Sequence, residues 1–423
     1  MIRLRVWASL RPMGWFGHAA GDYFFEYDAQ WLQQSGGYVL GPQFPLQPAR
    51  FTGPLVRNFF ENLLPEGTAL EDVLSALTLL NPNTLELLGQ LGQDLPGVLC
   101  LLPQDTRPDF LQPGFVQSYR PLPFETLSQR LRSHAPLLVS NDQSTMSLAG
   151  AQEKMGLRWD AKKGILSESV GLSPSTHILK PDTRQVRYQP SAINEYACMK
   201  LARALKLPVP DVWLLRVPEA AYVVQRYDRV NVAGHIVGLH QIDGCQLLGN
   251  GSGWKYQRQG GLASIPRLVQ ALRALPVRGA DLLQLQHWVM FNYLIGNADA
   301  HAKNISVLVD DKGYRLAPFY DLLCVKAYGD ESLALYIGDD ETFDAVGAHS
   351  WEALCKDCGF RPPETLKGLR KLAQDLLPAW RKVLSSIEEN VQPTQAERGL
   401  LERMTHVFEA HSQNALSMTH SGG

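Results

Sequence analysis

Asn297-Ala298-Asp299-Ala300-His301-Ala302-Lys303-Asn304, followed downstream by Pro318-Phe319-Tyr320-Asp321, decides the reading of this 423-residue chain. It sets down a carboxylate, an amide five residues later, and a second carboxylate beyond an expected β-hairpin. Phosphoryl transfer from a nucleoside triphosphate needs those groups. One acid takes the proton of the attacking hydroxyl, while an amide and another acid hold magnesium on the phosphates. Asp299 is therefore the candidate base, and Asn304 and Asp321 are candidate magnesium ligands. His301 and Lys303 are expected to face the nucleotide. Taken singly, Asp299, Asn304 and Asp321 also read as ordinary capping and turn residues. Their spacing, with an apolar helix before them and a hairpin between them, favours chemistry.

The flanking sequence supplies that helix and hairpin. Residues 281–296 are apolar almost all round, which predicts a buried helix delivering the chain to Asp299. Residues 305–309 and 314–317 flank Asp310-Asp311-Lys312-Gly313 as a hairpin that brings Asp321 back beside Asn304. Residues 350–412 read as mostly helical and the tail 412–423 as loose. Residues 240–248 read as a helix, and 249–261, with five glycines, as a mobile loop.

Toward the N-terminus, residues 176–180 read as a strand ending in Lys180, a lysine placed to reach phosphates. Glu195, on an expected helix over 192–205, is its candidate ion-pair partner. Strands are expected over 155–159, 212–217 and 221–227, and a helix over 124–132. The segment Ser147-Leu148-Ala149-Gly150-Ala151-Gln152-Glu153-Lys154 is a loop of small residues opening onto a strand. Its backbone N–H groups suit an anion nest. Residues 104–123 carry four prolines and read as a linker. Before it, residues 1–110 read as an α/β unit, with strands over 4–7 and 23–27 and helices over 55–64 and 70–80.

Composition narrows the class. Apolar residues make up 45% and charged residues 19%, the balance of a globular protein with a large core. Forty basic against 42 acidic residues leave a net charge of −2, a balance that does not point to wholesale coating of nucleic acid and leaves room for a local basic patch. The start, Met1-Ile2-Arg3-Leu4-Arg5-Val6-Trp7, has charges where a signal peptide needs an apolar run, and no stretch has the ~20 apolar residues of a membrane span. No membrane association and a cytoplasmic location are expected. Six cysteines make no disulfide framework in so long a chain, and Cys355-Lys356-Asp357-Cys358 reads as two helical cysteines rather than a zinc or redox pair.

Together these motifs resemble the HipA family, serine/threonine kinases that act as toxins of bacterial toxin–antitoxin pairs. Ala149-Gly150-Ala151-Gln152-Glu153-Lys154, Asn194-Glu195-Tyr196, Arg226-Tyr227-Asp228-Arg229, the segment 296–304 and Pro318–Asp321 carry the resemblance. Asn58-Phe59-Phe60-Glu61-Asn62-Leu63-Leu64-Pro65 matches that family's N-terminal subdomain. The resemblance implies an α+β, two-lobed protein-kinase-like fold with an N-terminal α/β subdomain: residues 1–110, a small lobe over 111–230 and a helical large lobe over 231–423. It implies ATP and Mg2+ as cofactors, residues 149–154 as the phosphate loop and Lys180 as the phosphate lysine. Gln225, Arg226 and Tyr227 match the hinge that meets adenine, with Gln225 replacing a commonly acidic residue, and Tyr320 joins the nucleotide-binding set.

Ser147 matches the serine that these kinases phosphorylate on themselves, with Thr145 and Ser144 as secondary candidates. The implied partners are a helix-turn-helix antitoxin, operator DNA reached mainly through it, and a protein substrate such as an aminoacyl-tRNA synthetase. A basic helical face bearing Lys367, Arg370 and Lys371, with Arg381 and Lys382 beyond, is a candidate DNA contact or a solvated face. Two other readings remain at this point: a kinase-fold phosphotransferase acting on small molecules, and a non-catalytic partner in operon repression.

Overall fold

The computed structural model describes residues 2–133, 137, 150 and 152–418. They form two compact units, each assembled from three stretches of chain: 1–181, 215–252 and 307–314 in the first, and 182–214, 253–306 and 315–423 in the second.

The first unit begins with an antiparallel five-stranded sheet, in the order Phe51–Thr52, Asp22–Tyr27, Arg11–Ala19, Ile2–Ala8, Leu99–Pro103. Period-two alternation sorts the start of its first strand: Leu4 and Val6 are buried, while the guanidinium groups of Arg3 and Arg5 lie 3.9 and 4.3 Å from the ring of Trp15; Trp7 and Ala8 beyond are both buried. Gly17 has no Cβ because one would sit 2.6 Å from the ring of Phe24. Phe16, Phe25 and Phe60 form the aromatic core, with the rings of Phe16 and Phe60 stacked at 3.9 Å. Helix Pro54–Glu61 starts on proline, whose missing N–H costs nothing there. Helix Thr84–Leu91 starts on Asn83, which forms a capping box with Glu86.

A six-stranded sheet follows, in the order Val212–Arg216, Ala220–Gln225, His177–Pro181, Met155–Asp160, Ile165–Val170, Ser118–Pro121. The end of the expected linker is thus an edge strand, and its Pro121 falls at the strand terminus where proline is tolerated. Ile165–Val170 escapes a pattern reading because its sequence, Ile-Leu-Ser-Glu-Ser-Val, buries a charge. Glu168 is only 5% exposed, and Arg130 and Arg120 pair with it at 2.6 and 3.1 Å.

The helix expected over 240–248 is half right. His240–Asp243 is a strand of a three-stranded sheet with Ser306–Asp310 and Gly313–Leu316, and only Gly244–Leu248 is helical. The divider is Asp243, whose carboxylate accepts from Gln246 N at 2.8 Å while Gln246 Oε1 accepts from Asp243 N at 2.9 Å.

The second unit is mainly helical: Ser191–Ala204, Ile265–Arg273, Gly279–Leu294, Ala348–Cys358, Pro362–Asn390 and Gln395–Ser417. Gly279–Leu294 is the buried helix expected, packing Leu285, Trp288, Phe291 and Leu294. Its fully buried Asp281 accepts from Arg278 N at 3.0 Å and Leu316 N at 2.9 Å. The tail is not loose through Met418. The last helix runs to Ser417, burying His411, Ser412 and Ala415, and Arg370 Nη1 donates to Met418 O at 2.7 Å. That bond occupies one member of the basic face, and Lys371 pairs with Asp375 at 2.9 Å.

Among the described residues no helix is long and apolar enough to cross a membrane. All six cysteines are free and buried. Burial pushes the Cys358 thiol up to about 12, so Cys355-Lys356-Asp357-Cys358 offers no ready thiolate pair.

Candidate functional site

In the second unit, helix Gly279–Leu294 gives way to the loop at Gly296. This residue has φ +65°, and a Cβ here would lie 2.8 Å from Val407 Cγ1 and 3.0 Å from Lys326 Cβ. The next residue organises the loop. Asn297 Oδ1 accepts from Asp299 N at 3.1 Å, an Asx turn. Its Nδ2 donates to Asn292 Oδ1 at 2.7 Å and to Asp321 O at 3.3 Å. One amide side chain therefore ties the segment of Asp299 to that of Asp321.

Asp299 O accepts from Asn304 Nδ2 at 2.8 Å and from His301 N at 2.8 Å. The Asp299 side chain is 43% exposed, whereas His301, Lys303 and Asn304 are buried. Tyr320 OH donates to Lys303 O at 2.7 Å and lies 2.7 Å from Ser306 Oγ. This is how the hairpin returns the chain: Tyr320 meets the loop at Lys303, and Asp321 meets it at Asn297. Asp321 has φ +57°, a left-handed conformation uncommon outside glycine and asparagine that clusters at functional sites.

In the first unit, Lys180 is 7% exposed and pairs across the sheet with Tyr222, its Nζ 5.9 Å from that ring. Gly150 has φ +110° and forms a parallel bridge with Pro65, its carbonyl accepting from Glu66 N at 3.2 Å. The Nζ of Lys154 sits 2.7 Å from where a Gly150 Cβ would stand, so the ammonium lies directly against that backbone. Gln152 Nε2 donates to Pro181 O at 3.5 Å, and Glu153 is partly exposed. Ala149, Ala151, Ser144, Thr145 and Ser147 lie outside the described residues.

Gln225 is exposed, pairing through its backbone with His177, and Tyr227 OH donates to Gln241 Oε1. Arg226 is a different matter. Its guanidinium is buried, donating to Asp228 at 2.8 and 2.9 Å, Asp94 at 3.3 Å, Ser175 Oγ at 3.0 Å and Leu95 O at 2.8 Å, while its N–H donates to Thr176 O at 2.9 Å. Arg229 closes the network at 2.7 Å to Asp94 and 3.0 Å to Asp228. Burial alone would push Asp228 up, but Arg226 and then Arg229 outweigh it and hold this carboxyl at about 2. Arg226 is spent on the fold, and its side chain has no donor to offer a nucleotide.

The donor set fits magnesium in one respect that the structure shows. Asn304 has committed its Nδ2 to Asp299 O, which fixes the amide and leaves the carbonyl oxygen, the end a hard cation takes, as its remaining polar atom. Among the described residues no cluster of three or more His, Cys, Asp or Glu is arranged to hold a metal. Magnesium on a nucleotide needs none, since one or two protein oxygens suffice when phosphates and water complete the octahedron.

Two residues here escaped the sequence reading. Asn297 stood within the opening motif with no role assigned to it. Tyr256 gave no signal at all, because it lies in the glycine-rich loop. That loop is tethered rather than free. Ala302 N donates to Lys255 O at 3.1 Å, Gln257 N to Ala334 O at 2.9 Å, and Tyr256 OH to Asp299 Oδ1 at 2.5 Å.

Residues 4–102 match the HipA N-terminal domain and residues 146–380 the HipA-like C-terminal domain. The chain is 34% identical over 401 residues to the putative kinase Y4mE of Sinorhizobium fredii, covering 91% of this chain and 93% of that one. It is 30% identical over 389 residues to the serine/threonine-protein kinase toxin HipA of Shewanella oneidensis, covering 87% and 86%. The solved complex of HipA, HipB and operator DNA from Shewanella oneidensis contains a chain that superposes with a TM-score of 0.82 at 25% identity, over 98% of both chains. The expected α+β kinase-like fold is the fold of that toxin, and this chain belongs to the HipA family.

Proposed function

We propose that this protein is a serine/threonine protein kinase of the toxin type, transferring the γ-phosphate of ATP to a cellular protein and thereby arresting growth. The observation that carries the reading is the loop 297–304. It presents Asp299 half-exposed on a buried scaffold and ties it through Asn297 to a strained Asp321. Asp299 accepts the proton of the attacking hydroxyl. Asn304 and Asp321 would hold Mg2+, which when bound neutralises charge on the phosphates. Lys180 and the segment 149–154 would serve the phosphates, Gln225 and Tyr227 the adenine, and His301, Lys303 and Tyr320 would shape the nucleotide side of the loop. Arg226 acts only through its position in the chain.

The likeness to relatives named as kinases supports this reading, as does the match of residues 4–102 to a separate N-terminal family model. The division is read accordingly: residues 1–110 an N-terminal subdomain, 111–230 a small lobe and 231–423 a large lobe. The target is a translation component such as an aminoacyl-tRNA synthetase. A helix-turn-helix antitoxin neutralises the protein and brings it to operator DNA, as HipB accompanies HipA in the related complex. The site of action is the cytoplasm.

Ser147 is the regulatory site. A phosphate there adds about −1.5 to −2 charges beside a loop meant to hold ATP phosphates, and the kinase shuts off. Mass spectrometry of the protein with and without ATP should find that mark, and a homogeneous phospho-Ser147 protein should be inactive. If it transfers phosphate as fast as the unmodified form, this control does not operate.

Asp299→Asn is the direct test of the activity. It removes the base at nearly constant shape, so phosphate transfer should fall by about 10²–10⁴-fold with folding unchanged. Transfer at the wild-type rate would remove Asp299 from the mechanism.

A further inference from the structure

The glycine-rich loop carries a side chain that no motif accounts for. Tyr256 OH donates to Asp299 Oδ1 at 2.5 Å, and His301 Nε2 stands 4.0 Å from the same oxygen. Both neighbours thus address one oxygen of a carboxylate whose side chain is 43% exposed. The phenol is not a passing contact. Lys255 O accepts from Ala302 N at 3.1 Å on one side of it. On the other, Gln257 is clamped twice, its N–H on Ala334 O at 2.9 Å and its Oε1 under Tyr336 N at 2.9 Å. Tyr256 N donates to Gln259 Oε1 at 3.1 Å, and its ring meets the His301 imidazole edge-on at 5.1 Å. The Arg258 guanidinium lies 4.3 Å from the ring centroid and Lys255 Nζ 5.5 Å, two cations that make the hydroxyl a stronger donor.

We infer that Tyr256 is a positioning residue for Asp299: its hydroxyl holds Oδ1 so that Oδ2 faces the acceptor hydroxyl as the proton's destination. A phenol waiting to swing aside would block the base instead. The backbone clamps on both sides of Tyr256 fix it in place, which favours holding over gating. The energetic logic is orientation. A carboxylate free to rotate about its terminal torsion spends only part of its time aimed at the acceptor, and a charge-assisted hydrogen bond to one oxygen removes that freedom.

The inference rests on Asp299 being the base, so the experiment separates the two. Initial rates of MgATP hydrolysis and of autophosphorylation are measured for the wild type, Asp299→Asn, Tyr256→Phe and the double variant, with thermal unfolding of each. Tyr256→Phe should lower kcat about 5–30-fold with the KM for ATP and the unfolding midpoint unchanged, because the ring, its edge-on contact with His301 and the loop clamps all remain. In the Asp299→Asn background the same change should have no further effect, since a group acting only through Asp299 has nothing left to position. A raised rate in Tyr256→Phe overturns positioning in favour of occlusion. An equal loss in both backgrounds, or a raised KM, overturns it in favour of a structural or nucleotide-binding role. A wild-type rate in Asp299→Asn defeats the base assignment itself, whatever Tyr256→Phe does.

Discussion

Arginine 226 shows how a residue within a recognisable motif can be used for something other than the motif suggests. Arg226-Tyr227-Asp228-Arg229 runs through the segment expected to meet adenine, yet two of its four side chains answer Asp94, on a loop more than a hundred residues earlier. Removing one member leaves the others buried with fewer partners. Asp94→Ala should cost about 3–5 kcal/mol, read as a lower urea midpoint, because two buried guanidinium groups lose their shared partner. A shift under about 1 kcal/mol would mean that water or Asp228 makes up the loss. Nothing local in the sequence announces this use. A charged residue after a strand looks the same whether it faces solvent or a distant carboxylate, and only tertiary contact decides. Asp299 and Asn304 are the opposite case, since their spacing within one short loop made their relation visible before any fold was known. Ser147 could be named from its motif alone and lies outside the described residues.

Elements with strong periodicity were legible for the same reason. Gly279–Leu294 reads as buried from its apolar run, and the hairpin Ser306–Asp310 and Gly313–Leu316 from its Asp-Asp-Lys-Gly turn. Ile165–Val170 and Ser118–Pro121 were missed because ion pairing and edge position, rather than alternation, permit them. The helical continuation to Ser417 was missed because its burial depends on partners far back in the chain: Asn414 Nδ2 donates to Tyr293 OH at 2.8 Å and Val346 O at 3.0 Å. The family motif Asn58–Pro65 gains a physical meaning at this scale. Asn58 Nδ2 and Asn62 Nδ2 donate to Gly249 O and Asn250 O at 2.9 and 2.8 Å, so a helix early in the chain secures the turn that ends Gly244–Leu248.

The junction between Gly279–Leu294 and the Asp299 loop leaves little room for a side chain at Gly296. Gly296→Ala must place a Cβ against Val407 and Lys326 while holding a left-handed φ. It should cost about 1–3 kcal/mol and lower phosphate transfer more than the stability loss alone explains, because the displaced residue leads straight to Asp299. Chemical denaturation and initial rates on the same preparation check both halves. Full activity with lowered stability would show that the loop is held by Asn297 alone.

At the scale of the whole molecule, each unit carries its own acid-sensitive group. Burial pushes His240 in the first unit and His411 in the second down to about 4, against which the hydrogen bonds to Leu40 O and Tyr293 O act more weakly. A native imidazole held neutral binds fewer protons than the same group unfolded, so unfolding takes up protons and acid favours it. Stability contributed this way is present above the ordinary value of 6.5 and is lost as pH falls from there toward about 4. Asp228, held at about 2 against an ordinary 3.8, extends the loss to lower pH. Urea midpoints across that range should fall in two stages, and His411→Gln should flatten the upper one. A midpoint constant down to pH ~4 would show that both imidazoles remain accessible to protons in the native state.

The interleaving of the two units sets a condition on how this protein comes into being. The chain leaves one and enters the other at 181/182, 214/215, 252/253, 306/307 and 314/315. The three-stranded sheet therefore waits for Gly313–Leu316 to be synthesised, and the packing around Tyr293 waits for Gln395–Ser417. A ribosome that stalls partway releases a fragment lacking the parts that hold the Asp299 loop in shape. The Asp299 loop thus takes its shape only after the last helix, Gln395–Ser417, has joined the packing around Tyr293.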